Sequence, residues 1–408
     1  MRSSAVRILL ILVISSAILA PPAYGRTDPE TNKIRMLMIG ETKAQHQSAT
    51  AHMFADPKVD LTLIPAGDIA NVDTSRRFVR IYIPRTKEDL ITEFDVFELF
   101  DFVPHVLQLK HIDWITEGVR EEGVGLGLTE MGWYDVTDWT GNDAEAWMST
   151  SVYEAYPVDL VIGVQNKDAT YMDIVERGEG ADRNLLVELP GFEQVALTEV
   201  GHHGLERARP GSTVHTVWSA GGEDAIVSGS YGDATTLMIP MGWDNIPAAT
   251  ERNWYHYVDF VLNHVYFLAQ VKIPEDLQLI HQLRASFYEY FDQMAMTSGL
   301  LEFIDKFGAN TRPVEEMLLE SEAMKEDAEL LYLRDDYSGA WESMSAVMER
   351  FDRISQESVK IKDRALMWVY MTEWLAVMGT LAICGSIIWA LMVKRRLYKE
   401  VSVTRSAL

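Results

Sequence analysis

WLAVMGTLAICGSIIWALMV, residues 374–393, is a run of 20 residues without a charge, and Lys394, Arg395 and Arg396 follow it at once. An α-helix needs about 20 apolar residues to cross a ~30 Å hydrocarbon core. The basic cluster behind the run places the tail 394–408 on the cytoplasmic side by the positive-inside rule. Trp368, Tyr370 and Trp374 form the aromatic belt expected at the outer interface, with Glu373 beside them. Residues 367–393 are therefore expected to contact membrane lipid. At the other end, Arg2 and Arg7 precede the apolar stretch Ile8–Ala20, and Ala23-Tyr24-Gly25 offers small residues at the −3 and −1 positions of a cleavage site. That pattern predicts a secretory signal over 1–25; an uncleaved membrane anchor is its rival. Signal and stop-transfer together predict a single-pass type I protein with its N-terminal domain outside the membrane.

Between the two membrane signals lie about 340 residues, and 48% of the chain is hydrophobic, so a packed core is expected. The net charge is −25. Residues 1–25 carry +2 and the tail 394–408 carries +4, which leaves −31 on 26–393. A surface that acidic repels nucleic acid and anionic lipid, so neither is the expected ligand of the outer domain. The chain has a single cysteine, Cys384, inside the apolar run. No disulfide can form within the outer domain, and no thiol is available there for catalysis. Nothing in the sequence asks for a cofactor.

From Ile34 to about Gln270, short apolar runs alternate with amphipathic stretches. Strands are predicted at Ile34–Ile39, Leu61–Pro65, Phe78–Pro84, Phe94–Phe100, Gly123–Thr129 and Asp159–Gly163. Further strands are predicted at Leu185–Leu189, Val195–Val200, Thr213–Trp218, Ala225–Ser228 and Thr235–Pro240. Helices are predicted at His105–Glu122, Asp143–Tyr156 and Glu251–Gln270. Alternating strands and helices predict an α/β fold over 33–270 with a mostly parallel sheet flanked by helices. After Pro274 the texture is helical. Leu277, Ile280, Phe287, Phe291 and Met294 mark one stripe, Val314, Met317, Met324, Ala328 and Leu331 a second, and Tyr337, Trp341, Met344, Met348 and Phe351 a third. These spacings place each set on one helix face. Residues 274–364 are expected to form an α-helical hairpin or bundle, a stalk whose last helix runs on into the single transmembrane helix.

Four stretches carry a family resemblance: Met36–Glu41 as a first strand and turn, Tyr82–Asp101 ending in a strand and an Asp, the strand and elbow GVGLGLTEMG at 123–132, and Val217–Trp243 leading into a closing helix. In these the region 33–270 resembles the class I glutamine amidotransferase-like superfamily, whose fold is flavodoxin-like. The resemblance implies a cysteine nucleophile at the elbow and a His-x-Glu pair after a late strand. Here the elbow reads Leu128-Thr129-Glu130-Met131, and the chain after Ile239 reads Pro240-Met241-Gly242-Trp243-Asp244. Glutamine hydrolysis passes through a thioester, so without a thiolate it cannot proceed by the family's route.

In open α/β sheets, ligands bind outside the carboxyl ends of the strands. On this reading Glu41, Asp101, Glu130, Trp133, Tyr134, Asp135 and Trp243 gather there. Carboxylates beside aromatics suit a sugar or a peptide. Glu130, with Asp101 or Asp135 as partner, would make a general acid–base or nucleophilic pair; the plainer reading is that Glu130 caps the following turn and the tryptophans pack the loop. Gly201-His202-His203-Gly204 invites a metal reading, but neighbouring strand residues point to opposite faces, so no metal site is expected. Three functions remain open. The first is a binding or assembly component of a membrane complex, inactive as an enzyme, with a protein partner or second copy and a glycan or peptide ligand. The others are a carboxylate-dependent hydrolase acting through Glu130 and a single-pass ligand sensor.

Overall fold

The computed structural model describes residues 25–40, 48–66, 72–100, 104–129, 144–166, 171–179, 182–195, 202–241 and 254–405. The chain begins with β1 (Ile34–Gly40), α1 (Ser48–Ala55), β2 (Val59–Pro65), α2 (Val72–Tyr82), α3 (Lys87–Glu93) and β3 (Val96–Phe100). Next come α4 (Leu109–Glu122), β4 (Gly125–Thr129), α5 (Ala144–Met148), β5 (Val158–Asn166) and β6 (Met172–Ile174). They are followed by β7 (His202–Ala208), β8 (Thr213–Val214), β9 (Thr216–Trp218), β10 (Val227–Tyr231) and β11 (Ala234–Ile239). Four helices close the chain: α6 (Tyr257–Leu268), α7 (Leu277–Asp305), α8 (Arg312–Leu333) and α9 (Tyr337–Arg405).

Two compact units divide the chain, residues 1–289 with 327–344, and residues 290–326 with 345–408. The first is built on a seven-stranded sheet in the order β2-β1-β3-β4-β11-β10-β8. β2, β1, β3, β4 and β11 run parallel, and β10 and β8 extend the sheet antiparallel. Every residue of β3 and of β4 is buried. Strands covered on both faces read as continuous apolar runs, which is why VFELF and GLGLT show no polar alternation.

The pleat sends alternate side chains into two cores. Met36, Met38, Val96, Phe100 and Leu237 join Met53 of α1 and Val261 and Val265 of α6 in one. Leu37, Ile39, Phe97, Leu99 and Leu126 join Val79 of α2 and Ile112 and Ile115 of α4 in the other. Gly127 makes room on the first face: a Cβ there would overlap the carboxylate of Glu98.

Most of the predicted strands appear within a residue or two of their expected bounds. Three segments differ. Phe78–Pro84 is not a strand; it lies in α2 and the turn after it. Val79 and Ile83, four apart, are buried while Arg76, Arg77, Arg80 and Ile81 are exposed, so helical periodicity prevails over β-branched composition. Leu185–Leu189 forms no strand either. Leu186, Val187 and Leu189 are buried, but the local turn is held by the Glu188 carboxylate, which accepts from the backbone N–H of Gly178 and of Asn184, both at 2.8 Å. Asp143–Tyr156 breaks into α5 and a 3-10 turn at Ser151–Ala155. The predicted strand Val195–Val200 falls mostly on 196–200, outside the described residues.

In the second unit Leu301, Ile304, Val314, Leu318, Val347, Phe351 and Ile354 are buried. The Tyr290 ring meets Phe351 edge-on at 5.3 Å, and its hydroxyl donates to Glu322 at 2.9 Å. The third predicted stripe continues without a break: α9 is one helix of 69 residues, about 100 Å long at ~1.5 Å per residue. Every residue from 371 to 396 is exposed. Among the described residues α9 is the one helix long and apolar enough to cross a membrane. Placing Arg at both Leu381 and Ile387 is expected to cost about 5–7 kcal/mol of insertion free energy. Alkaline extraction of membranes measures it: the double variant should wash off, and a protein that stays in the pellet would be held by something other than α9.

Candidate functional site

Because β2, β1, β3, β4 and β11 are parallel, their carboxyl ends at Pro65, Gly40, Phe100, Thr129 and Ile239 share one edge of the sheet. Of the predicted site residues, Glu41, Asp101 and Glu130 follow directly on β1, β3 and β4, and Trp243 comes four residues after β11. These four, with Trp133, Tyr134 and Asp135, lie outside the described residues. His202 and His203 open β7, where their backbones pair with Asn166 and Gln165 of β5; their side chains are outside the described set.

Just beneath that edge sits a polar group that the sequence reading did not single out. Glu98 on β3 is fully buried. Thr129 Oγ1, at the end of β4, donates to Glu98 Oε1 at 2.5 Å, and His264 Nε2 of α6 donates to Oε2 at 3.0 Å. Hydroxyl and imidazole thus spend their protons on the same carboxylate. A nucleophile–base pair needs the imidazole on the hydroxyl, with the carboxylate behind it. This order is different, and all three side chains are sealed from solvent. The arrangement joins α6 to β3 and β4 and commits the Thr129 hydroxyl to the Glu98 carboxylate. Its signal in the sequence was a lone charge inside VFELF, a type of residue that is buried only when it is partnered.

A titratable cluster lies where α1, α6, α7 and the end of α8 meet. Asp259, in the first turn of α6, is fully buried. Its Oδ2 accepts from His256 Nδ1 at 2.7 Å and from His281 Nδ1 at 2.8 Å, and its Oδ1 accepts from Arg284 Nη1 at 3.1 Å. Arg284 Nη1 also donates to Asn263 Oδ1 at 2.8 Å, and Arg284 Nε lies 3.9 Å from Asp56 Oδ2. Tyr332 donates to Asp56 Oδ2 at 2.9 Å and meets the Tyr266 hydroxyl at 3.1 Å. The spacings are helical: His256, Asp259 and Asn263 share a face of α6, and His281 and Arg284 a face of α7.

Burial alone would raise the Asp259 carboxyl; the hydrogen bonds from His256 and His281 and the charge of Arg284 overcome it and hold the group well below the usual carboxylate range. Asp56 goes the other way, pushed up by burial despite Arg284. His52 of α1, 1% exposed, packs its ring against Tyr288 at 4.2 Å, and neither of its nitrogens has a hydrogen-bond partner. Burial lowers it to about 4, so it is neutral at pH 7.

His256, Asp259 and His281 are also the one group among the described residues whose ligand atoms converge closely enough to hold a metal. Four ligands at ~2.0–2.1 Å around zinc stand about 3.3 Å apart. The two nitrogen–oxygen separations here, 2.7 and 2.8 Å, are those of hydrogen bonds. Arg284 already supplies the positive charge that the carboxylate needs. The set fits a hydrogen-bonded junction better than a metal centre.

No family model and no curated protein matches the chain. Among solved structures it is similar to a cytoplasmic protein of Salmonella typhimurium LT2, with 18% identity, TM-score 0.44, and coverage of 58% of this chain and 100% of that one. A second cytoplasmic protein of Salmonella typhimurium gives 19%, 0.44, 58% and 99%. An exo-β-1,4-mannosidase of Opitutaceae bacterium strain TAV5 gives 9% and 0.31, covering 58% of this chain and 36% of that one. None of the three is similar enough to lend this chain its function.

Proposed function

We propose that this is a membrane-anchored, amidotransferase-like binding protein without hydrolytic activity, its α/β unit outside the membrane and its carboxyl-edge crevice open to a peptide, glycan or protein partner of a membrane complex. The observation that carries the reading is the end of β4. The elbow segment 123–132 holds no cysteine, and the Thr129 hydroxyl is buried and committed to Glu98. The strand order β2-β1-β3-β4, with β11 as a fifth parallel strand, supports a flavodoxin-like core, which has the order 2-1-3-4-5. The apolar, fully exposed stretch of α9 supports the anchor.

The test uses the full chain extracted from its native membrane in mild detergent. Affinity purification after cross-linking should recover a stoichiometric partner or a second copy, and incubation with glutamine should release no ammonia. Ammonia release abolished by no change other than removal of this protein would end the inactive reading, and recovery of the monomer alone would end the assembly reading.

A further inference from the structure

On the opposite face of the sheet from α6, a cavity of about 240 Å³ opens between α2 and the start of α4. Its polar lining is Arg76, Arg80, His105, Gln108 and His111, with no carboxylate among its lining residues. That is unusual in a chain with 61 acidic and 36 basic residues. Arg76 and Arg80 are one helical turn apart on α2, so they present two cations to the same space. Arg76 donates through Nε and Nη2 to the His105 carbonyl at 3.1 and 3.0 Å, which anchors its guanidinium, and its Nη1 lies 4.0 Å from Asp73. Arg80 is exposed and makes no ion pair among the described residues.

Gln108 is the N-cap of α4, a helix of 14 residues, and its side chain makes no capping hydrogen bond. The first N–H groups of a helix have no intrahelical acceptor, and the helix dipole favours negative charge there. Independently, His111 lines the same cavity at 6% exposure, and its Nδ1 has no hydrogen-bond partner. A buried ring left without a hydrogen bond is costly, and the imidazole can turn an N–H toward an acceptor placed in the cavity. Two guanidinium groups and an unpaired imidazole, beside the positive end of a helix, suit a tetrahedral oxyanion. The position, just beyond the carboxyl end of β3, is where open α/β sheets take ligands.

We propose that this cavity binds a phosphoryl group, held by Arg76, Arg80 and the His111 imidazole, with the positive end of the α4 dipole beside it. The test is calorimetric titration of the full chain in detergent micelles at low ionic strength. The ligands are inorganic phosphate, glycerol phosphate and, separately, vesicles of phosphatidylcholine with or without phosphatidic acid. Saturable binding of phosphate and glycerol phosphate, weakened at least tenfold in Arg80→Ala and further in Arg76→Ala/Arg80→Ala, is the expected result, with a free phosphate ester as the source. Binding confined to phosphatidic acid vesicles, and lost in the same variants, keeps the site and assigns it to a lipid headgroup. His111→Phe reads the buried donor separately and should lower affinity while leaving the melting temperature near that of the parent. No saturable binding to any of these ligands, or binding indifferent to both arginines, overturns the proposal.

Discussion

Asp259→Ala is expected to destabilise the fold by about 3–5 kcal/mol, the usual cost of breaking a buried ion pair from one side. The carboxylate receives three charged or polar donors, from His256, His281 and Arg284. Removing it leaves the fully buried Arg284 with Asp56 at 3.9 Å, Asn263 and the Tyr266 ring at 5.3 Å. Two of the Arg284 nitrogens, Nε and Nη2, already lack hydrogen-bond partners, so little remains to absorb the loss. Denaturant unfolding of the full chain in detergent, followed by tyrosine and tryptophan fluorescence, measures it. Asp259→Asn keeps the shape and one acceptor, and should cost less. A double-mutant cycle with Arg284→Met then isolates the pair, because Met fills the space without leaving a charge. A loss below 1 kcal/mol in Asp259→Ala would mean that the cluster does not hold α6 to α7.

Acidification from pH 6.5 to 4 should weaken the fold through two histidines. His52 and His215 are both lowered to about 4 by burial. His215 accepts from Asn184 Nδ2 at 2.7 Å and places its Nε2 2.8 Å from Ser228 Oγ, a pairing suited to the neutral ring. In the unfolded chain a histidine takes its proton near pH 6.5, so between that pH and 4 the unfolded state holds more protons. Stability therefore rises with pH across this window, is level above it, and stops falling once the folded state is also protonated. Each histidine accounts for roughly 3 kcal/mol over the full interval. Burial also lowers His111, which adds with the same sign. Asp56 opposes, since its raised carboxyl gains a proton in the folded state first. Asp259, held low, loses its contribution only below the window. The clean measurement is thus a comparison: His52→Leu should flatten the pH dependence of the melting temperature by about half. A parental curve already flat from 6.5 to 4.5 would show that these rings are not kept neutral.

The parallel core was readable because β1, β3 and β4 are apolar runs bounded by glycine or charge, the pattern that burial on both faces demands. α2 was not, because Phe78-Val79-Arg80-Ile81-Tyr82-Ile83 has the composition of a strand, and only packing shows that Val79 and Ile83, four apart, are the buried pair. The lack of a thiol at 123–132 was legible directly. What surrounds the end of β4 was not: Thr129, Glu98 and His264 are brought together by sheet register and helix docking, over as many as 166 residues of chain. The Asp259 cluster hid for the same reason. Its members look like stray polar residues on aromatic helices until α1, α6, α7 and α8 converge.

One thiol in 408 residues, exposed at Cys384 on α9, makes the native chain a ready-made substrate for site-selective labelling. A maleimide dye or nitroxide attached there would report from the apolar stretch of α9 without any background cysteine to remove, and the whole α/β unit could be handled in air or in reductant with no disulfide to form or break.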